Sequence, residues 1–301
     1  VSRTDDDSWD ITEGVGATAL SVARARAAET EAGCPLYTDP YAHFFIEAAT
    51  EAGWRSPFMD DQPQRAKAMA AYIASRTKFF DEFFTTAGAN GLDQAVILAA
   101  GLDTRAWRLP WISDTTVYEI DQPKVLEFKE RVLDAHRAKP AAGYAAVAVD
   151  LRHDWPTALR DNGFDPSTPT AWSAEGLLPY LSAAAQDTLF ARIDELSTAG
   201  SRLSVEAFGP VFYSPELLAR RRERMEQARL DAVDSGRPEV PDVTRLWYLE
   251  PRTDVARWLT ERGWEVTAIT AADLMAHYQR PAPDDLEDAV PDTVLLDAKK
   301  L

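Results

Sequence analysis

The stretch Gln94-Ala-Val-Ile-Leu-Ala-Ala-Gly-Leu-Asp-Thr-Arg105 sets the fold class. Its first seven residues form a short apolar run, bounded by an acid before and a glycine after. A strand buried on both faces has this texture, because neither face needs polar side chains. Similar segments recur downstream, and strands are predicted over 115–120, 144–149, 168–174 and 202–207. Helices are predicted between them over 123–137, 155–162 and 182–199, the last with Ser182 as its N-cap. Strands alternating with helices form βαβ units, hence a mainly parallel α/β sheet with right-handed crossovers.

Upstream, helices are predicted over 16–32, from Asp39-Pro40 to about 51, and over 64–86, with Gly33, Gly53 and Gly88 near their ends. Residues 1–14 are acidic and polar and read as a loose arm. After Pro210 the alternation breaks. A long polar helix over 216–233 precedes the loop Gly236–Pro241, so 211–250 reads as an insertion over one sheet edge. A helix over 252–262 and strands over 264–269 and 293–298 complete the pattern. The expected organisation is one domain: an N-terminal helical cap (1–90), a ligand-binding core (91–210), a helical lid (211–250) and the rest of the core (251–301).

Composition narrows the functional classes. The chain has 301 residues, 46% hydrophobic and 27% charged, which argues against disorder and suits a globular domain. Lys and Arg number 32 against 49 Asp and Glu, a formal charge of −17. A general grip on nucleic acid or an anionic membrane is therefore not expected, since phosphate binding needs clustered positive charge. Cys34 is the single cysteine, so no internal disulfide exists and a reducing compartment fits. No apolar run is long enough for a membrane helix and the first residues lack a secretory pattern, which predicts a soluble cytoplasmic protein. The histidines (43, 136, 153 and 277) lack ligand spacing, so no metal site is predicted.

Ligands of open parallel sheets bind beyond the carboxyl ends of the strands, so those ends hold the candidates. Gly101 follows the first strand and lets backbone approach a ligand, or simply marks a turn. Asp121 ends the second strand, 20 residues further on. A carboxylate there can accept both hydroxyls of a ribose; alternatively it caps the helix opening at Pro123. The G-x-G-x-x-G pattern of dinucleotide sites and the G-x-x-x-x-G-K-[ST] phosphate loop are absent. A nucleoside without a diphosphate fits better, and S-adenosyl-L-methionine is the usual one. Asp150 and Leu151 end the third strand, where they would meet an adenine amine and ring face, or cap the next helix. Glu175 follows the fourth and would face the charged tail or the acceptor, unless it is a solvated loop acid. Arg76 has Tyr72, Ile73, Phe79 and Phe80 as helical neighbours, which predicts a partly buried guanidinium in need of an anion. That anion is a ligand carboxylate or an internal acid.

Three motifs carry a family resemblance: Val96-Ile-Leu-Ala-Ala-Gly-Leu-Asp-Thr-Arg-Ala-Trp-Arg-Leu109, Tyr118-Glu-Ile-Asp-Gln-Pro123 and Ala174-Glu-Gly-Leu-Leu-Pro-Tyr-Leu181. Together they resemble the leucine carboxyl methyltransferase-like family, in its bacterial branch of S-adenosyl-L-methionine-dependent methyltransferases. Arg3–Trp9 and Pro35–Pro40 are similar to that branch as well. The resemblance spans most of the chain and is weakest over 211–250. It implies a class I methyltransferase (Rossmann-like) fold, doubly wound, with an antiparallel last strand. It also implies S-adenosyl-L-methionine contacts at Arg76 (methionine carboxylate), Gly101, Asp121 (ribose), Asp150 with Leu151 (adenine) and Glu175 (amino group). Eukaryotic members methylate the C-terminal carboxylate of a phosphatase subunit, and nothing in this sequence points to that substrate.

The expected activity is O-methylation of a carboxylate or hydroxyl on a small molecule. A carboxylate acceptor is already ionised and needs no base; a hydroxyl needs one within reach. Glu175, Tyr180 and His153 are the candidates at the rim. The run Arg220-Arg-Arg-Glu-Arg224 reads as a solvated helix face or as an attractor for an acidic acceptor. Phe208, Phe212, Tyr213, Trp247 and Tyr248 either pack the insertion onto the sheet or line an acceptor pocket. A non-catalytic module that only binds the cofactor, and less readily an NAD-dependent oxidoreductase, are the alternatives.

Overall fold

The computed structural model describes residues 11, 14–54, 63–112, 114–209, 212, 214–234, 246–283 and 290–301. The arm motif Arg3–Trp9, Tyr213 and the loop Gly236–Pro241 lie outside them. Seven strands form one sheet: β1 (Gln94–Leu98), β2 (Thr116–Asp121), β3 (Gly143–Ala148), β4 (Thr170–Ala174), β5 (Arg202–Phe208), β6 (Trp264–Thr270) and β7 (Thr293–Lys300). Their order is β3-β2-β1-β4-β5-β7-β6. The first five are parallel, and β7 runs antiparallel to β5 and β6. This is the doubly wound α/β sheet with an antiparallel last strand that the motifs imply. The order reverses between β1 and β4, which opens a crevice at the carboxyl ends of these two strands.

Both central strands are buried along their whole length, as their apolar texture requires. One face packs through Trp155, Leu159, Leu189, Phe190, Ile193 and Leu259, from helices α6 (Trp155–Asp161), α7 (Ala183–Glu195) and α9 (Val255–Thr260). The other packs against α1 (Gly14–Thr30), α2 (Ala42–Glu51), α3 (Pro63–Ala89) and α5 (Pro123–Ala135). The segment read as a cap therefore supplies part of a helical layer, with Phe83, Phe84 and Ala87 of α3 in its core.

Local chemistry explains the boundaries. Strand β1 stops at Leu98, two residues early, because Ala99 takes φ 51° and leaves the extended conformation. The short α4 (Arg105–Arg108) follows the glycine turn. Helix α2 starts at Ala42 because the Asp39 carboxylate accepts from the N–H groups of Tyr41 and Ala42, both at 3.1 Å. Helix α10 (Ala271–His277) went unread in the sequence; Thr270 caps it through Asp273 N at 3.1 Å. Within the insertion, α8 (Pro215–Asp234) forms as expected, with Arg220 and Arg222 exposed. No helix among the described residues is long and apolar enough to cross a membrane.

Candidate active site

The site is built around the turn after β1. Gly101 has φ 51°, and a Cβ there would lie 3.4 Å from the Cβ of Ala19, so α1 covers the turn closely. The turn is tied to β2, since Gly101 N donates to Asp121 Oδ2 at 2.6 Å. The other oxygen, Oδ1, accepts from Gln122 N at 2.6 Å. Burial lifts the Asp121 carboxyl above its usual range, and the two N–H groups oppose that shift. The alternative role of Asp121 as a helix cap gives way to a cross-strand tie, because Gln122 is the N-cap residue of α5.

Asp150 follows β3 and is held by Arg152 Nη2 (2.7 Å), Arg152 Nε (2.9 Å) and Gln122 Nε2 (2.9 Å). Burial alone would raise its carboxyl. The hydrogen bonds, chiefly from Arg152, outweigh that and hold it below the usual range. Asp121 and Asp150 thus lie side by side, linked through Gln122. Leu151 is half-buried against the core below.

Arg76 sits on α3 with 9% of its surface exposed, as its apolar neighbours predict. Its anions are internal: Nε donates to Glu175 Oε1 at 2.9 Å and Nη1 to Glu206 Oε2 at 3.1 Å. No described residue accepts from Nη2. Glu175 is not a solvated acid, because its second oxygen accepts from Arg105 Nη1 at 2.8 Å.

These contacts belong to one buried chain of ions. Arg26 pairs with Asp39 (3.2 Å), which lies 3.9 Å from Arg108. Arg108 binds Asp81 at 2.6 Å, and Asp81 binds Arg105 at 2.7 Å. Arg105 holds Asp103 and Glu175, and Arg76 closes the chain on Glu206. Every member is at least about four-fifths buried. Five carboxylates face four guanidinium groups, which leaves one formal negative charge. Burial works against the charge on Asp103, but Arg105 and the neighbouring cations outweigh it and keep that carboxyl below its usual range.

The sequence reading missed Arg26, Asp39, Asp81, Asp103, Arg105, Arg108 and Glu206 as members of this network. A signal existed for two of them. Glu206 is an acid inside the apolar strand Leu203-Ser-Val-Glu-Ala207, and Arg105 closes the quoted glycine-turn stretch.

The three rim candidates do not come together. His153 is exposed after the edge strand β3, with β2 and β1 between it and β4. Glu175 and Tyr180 follow β4, next to β5 and the insertion. The insertion returns onto this loop: Tyr248 N donates to Pro179 O at 2.8 Å, and Arg252 donates to Leu178 O (2.7 Å) and Tyr248 O (2.9 Å). Phe212 packs between Phe208 (centroids 4.3 Å apart) and Trp247 (5.0 Å) and is 1% exposed. These rings therefore hold the insertion to the sheet.

Comparison with known proteins agrees with the motifs. The family described as leucine carboxyl methyltransferase matches residues 19–194. A protein of Mycobacterium avium, named "Putative S-adenosyl-L-methionine-dependent methyltransferase", is 54% identical over 99% of both chains. One of the same name from Mycobacterium marinum is 52% identical over the whole of both. Among solved structures, a DUF574 family protein from Streptomyces avermitilis aligns with TM-score 0.50 at 15% identity, covering 93% of this chain and 97% of that one. A second, from Thermobifida fusca, aligns with TM-score 0.50 at 18% identity, over 92% and 94%. These two speak for the fold alone. With its motifs gathered at the switch point of this sheet, the chain belongs to the leucine carboxyl methyltransferase family and is an S-adenosyl-L-methionine-dependent methyltransferase.

Proposed function

We propose that the protein methylates an oxygen, a carboxylate before a hydroxyl, on a small molecule. One observation carries this reading: both oxygens of Glu175, the acid after β4, are already engaged by guanidinium groups.

The residues fit the cofactor. S-adenosyl-L-methionine carries a sulfonium, an ammonium and a carboxylate, one net positive charge, and the buried ion chain carries one net negative charge. In this reading Arg76 offers Nη2 to the methionine carboxylate and Glu175 faces the ammonium. Asp121 accepts the ribose hydroxyls, Asp150 takes the adenine amine, Leu151 packs on the ring, and Gly101 leaves room for the chain between. When bound, the cofactor supplies an electrophilic methyl group. The protein supplies position and a dry site.

The case for a carboxylate acceptor rests on the candidate bases. Both Glu175 oxygens are already committed to the guanidinium groups of Arg76 and Arg105, so Glu175 is poorly placed to reach an acceptor hydroxyl. His153 lies on the nucleoside side. Of the three only Tyr180 remains, half-buried after β4. An acceptor that arrives ionised needs none of them.

The test is methyl transfer from tritiated S-adenosyl-L-methionine into a fractionated small-molecule extract, followed by mild alkali. Label released as volatile methanol marks a methyl ester and supports the carboxylate reading. Alkali-stable label on oxygen moves the assignment to a hydroxyl, and label on nitrogen or sulfur refutes the proposal.

A further inference from the structure

We propose that Glu206 is a positioning residue for cofactor binding, fixing the Arg76 guanidinium so that its Nη2 faces an anionic tail. This rests on the proposed role of Arg76 toward the methionine carboxylate. Glu206 lies within β5, away from the strand ends that present Gly101, Asp121, Asp150 and Glu175, and is 1% exposed.

Donors converge on its two oxygens. Arg76 Nη1 reaches Oε2 at 3.1 Å and Oε1 at 3.3 Å. Gly176 N donates to Oε2 at 2.7 Å, and the Tyr72 hydroxyl donates to Oε1. Tyr72 is anchored in turn, with its oxygen 2.9 Å from Thr293 Oγ1 on β7. A buried carboxylate is costly unless it is paired and hydrogen-bonded, and this one is both.

Neutralising Arg76 needs only one carboxylate, yet two hold it, one from the loop after β4 and one from β5. Glu175 pins the Nε edge and Glu206 the Nη1 atom of a planar group, so the plane cannot turn and, among the described residues, only Nη2 stays open. Glu206 also binds the N–H of Gly176, whose φ of 64° makes the turn beside Glu175. One buried carboxylate thus sets both the arginine and the loop that carries its partner acid.

Charge and geometry predict opposite outcomes when Glu206 is removed. Coulomb attraction alone says that Arg76, freed of a neighbouring anion, binds a ligand carboxylate more tightly. Positioning says that binding weakens, because the guanidinium loses its fixed plane. Glu206→Gln separates them: a glutamine has one accepting oxygen and must turn its amide N–H groups toward a donor. Tyr72→Phe keeps the charge and the ring and removes only the anchor.

The experiment is calorimetric titration of both variants with S-adenosylhomocysteine, which has the amino-acid tail, and with 5′-methylthioadenosine, which lacks it. The expected result is a loss of about tenfold in S-adenosylhomocysteine affinity for Glu206→Gln and about threefold for Tyr72→Phe. Affinity for 5′-methylthioadenosine should stay within about twofold in both. Unchanged or tighter S-adenosylhomocysteine binding overturns the proposal, and so does equal weakening of the two ligands. If Glu206→Gln gives no cooperative melt, Tyr72→Phe decides by the same ratio. Wild-type protein that does not prefer the tailed ligand would instead sink the Arg76 assignment itself.

Discussion

Arg105→Met tests whether the buried ion chain holds the fold. Arg105 is 2% exposed, binds Asp81, Asp103 and Glu175, and lies over the Phe80 ring. Methionine keeps an unbranched apolar stem and removes the charge. Asp81 retains Arg108 and Glu175 retains Arg76, but Asp103 has no other cation within salt-bridge distance among the described residues. Breaking a buried pair so that one charge is orphaned costs about 3–5 kcal/mol. Unfolding entropy of about 2.1 cal/mol/K per residue gives roughly 0.6 kcal/mol per kelvin for this chain, so Tm should fall by about 5–8 °C. Differential scanning calorimetry at pH 7 reads the shift. Adding Asp103→Asn removes the orphaned charge and should restore about half of the loss. The effect also has a pH signature. In the wild type Asp103 titrates below its usual range, so its stabilising contribution is present at neutral pH and disappears on acidification. In the variant, burial acts without Arg105 and favours the protonated form, so the gap should narrow from pH 7 toward pH 4. A Tm within about 1 °C of wild type, or a double variant no better than the single one, would refute the reasoning.

Glu119 lies on β2 beside Lys129 and Tyr144, and burial, opposed by Lys129, pushes its carboxyl up to about 7. Between its ordinary range and pH 7 the folded state holds a proton that the unfolded state has released, so stability should fall as pH rises through that window. The integrated change is of the order of 3 kcal/mol, and Glu119→Gln should flatten the urea midpoint against pH between 5 and 7.5. An unchanged slope would show that another group titrates there. Asp121→Ala should weaken S-adenosylhomocysteine by about 1–3 kcal/mol, read by calorimetry, since it removes a charged acceptor and the Gly101 tie. Unaltered affinity would remove Asp121 from the ribose site. Neutralising Arg220 and Arg222, both exposed on α8, should leave acceptor KM unchanged across a salt series if that face is only solvated. A KM that rises and loses its salt dependence would make it an acceptor-steering surface.

The sequence by itself determined the layer plan. Apolar runs such as Ala95–Leu98 are strands because burial on both faces favours apolar side chains throughout, and their alternation with helices dictates a parallel sheet. It also singled out the strand-end residues Gly101, Asp121, Asp150 and Glu175 as candidates, because ligands of such a sheet bind beyond the strand ends. Arg76 was legible as a buried charge from its helical neighbours alone.

Which anions Arg76 meets was a tertiary matter. Glu175 and Glu206 lie 99 and 130 residues away in sequence, and only the β4-β5 pairing under α3 brings them to one guanidinium. The same holds for the covering of Gly101 by Ala19 and for the separation of His153 from Glu175 and Tyr180. Local pattern fixes which residues must be buried or strand-terminal, because that depends on backbone periodicity and side-chain polarity. Charge partners depend on strand order and helix placement, which no local window contains.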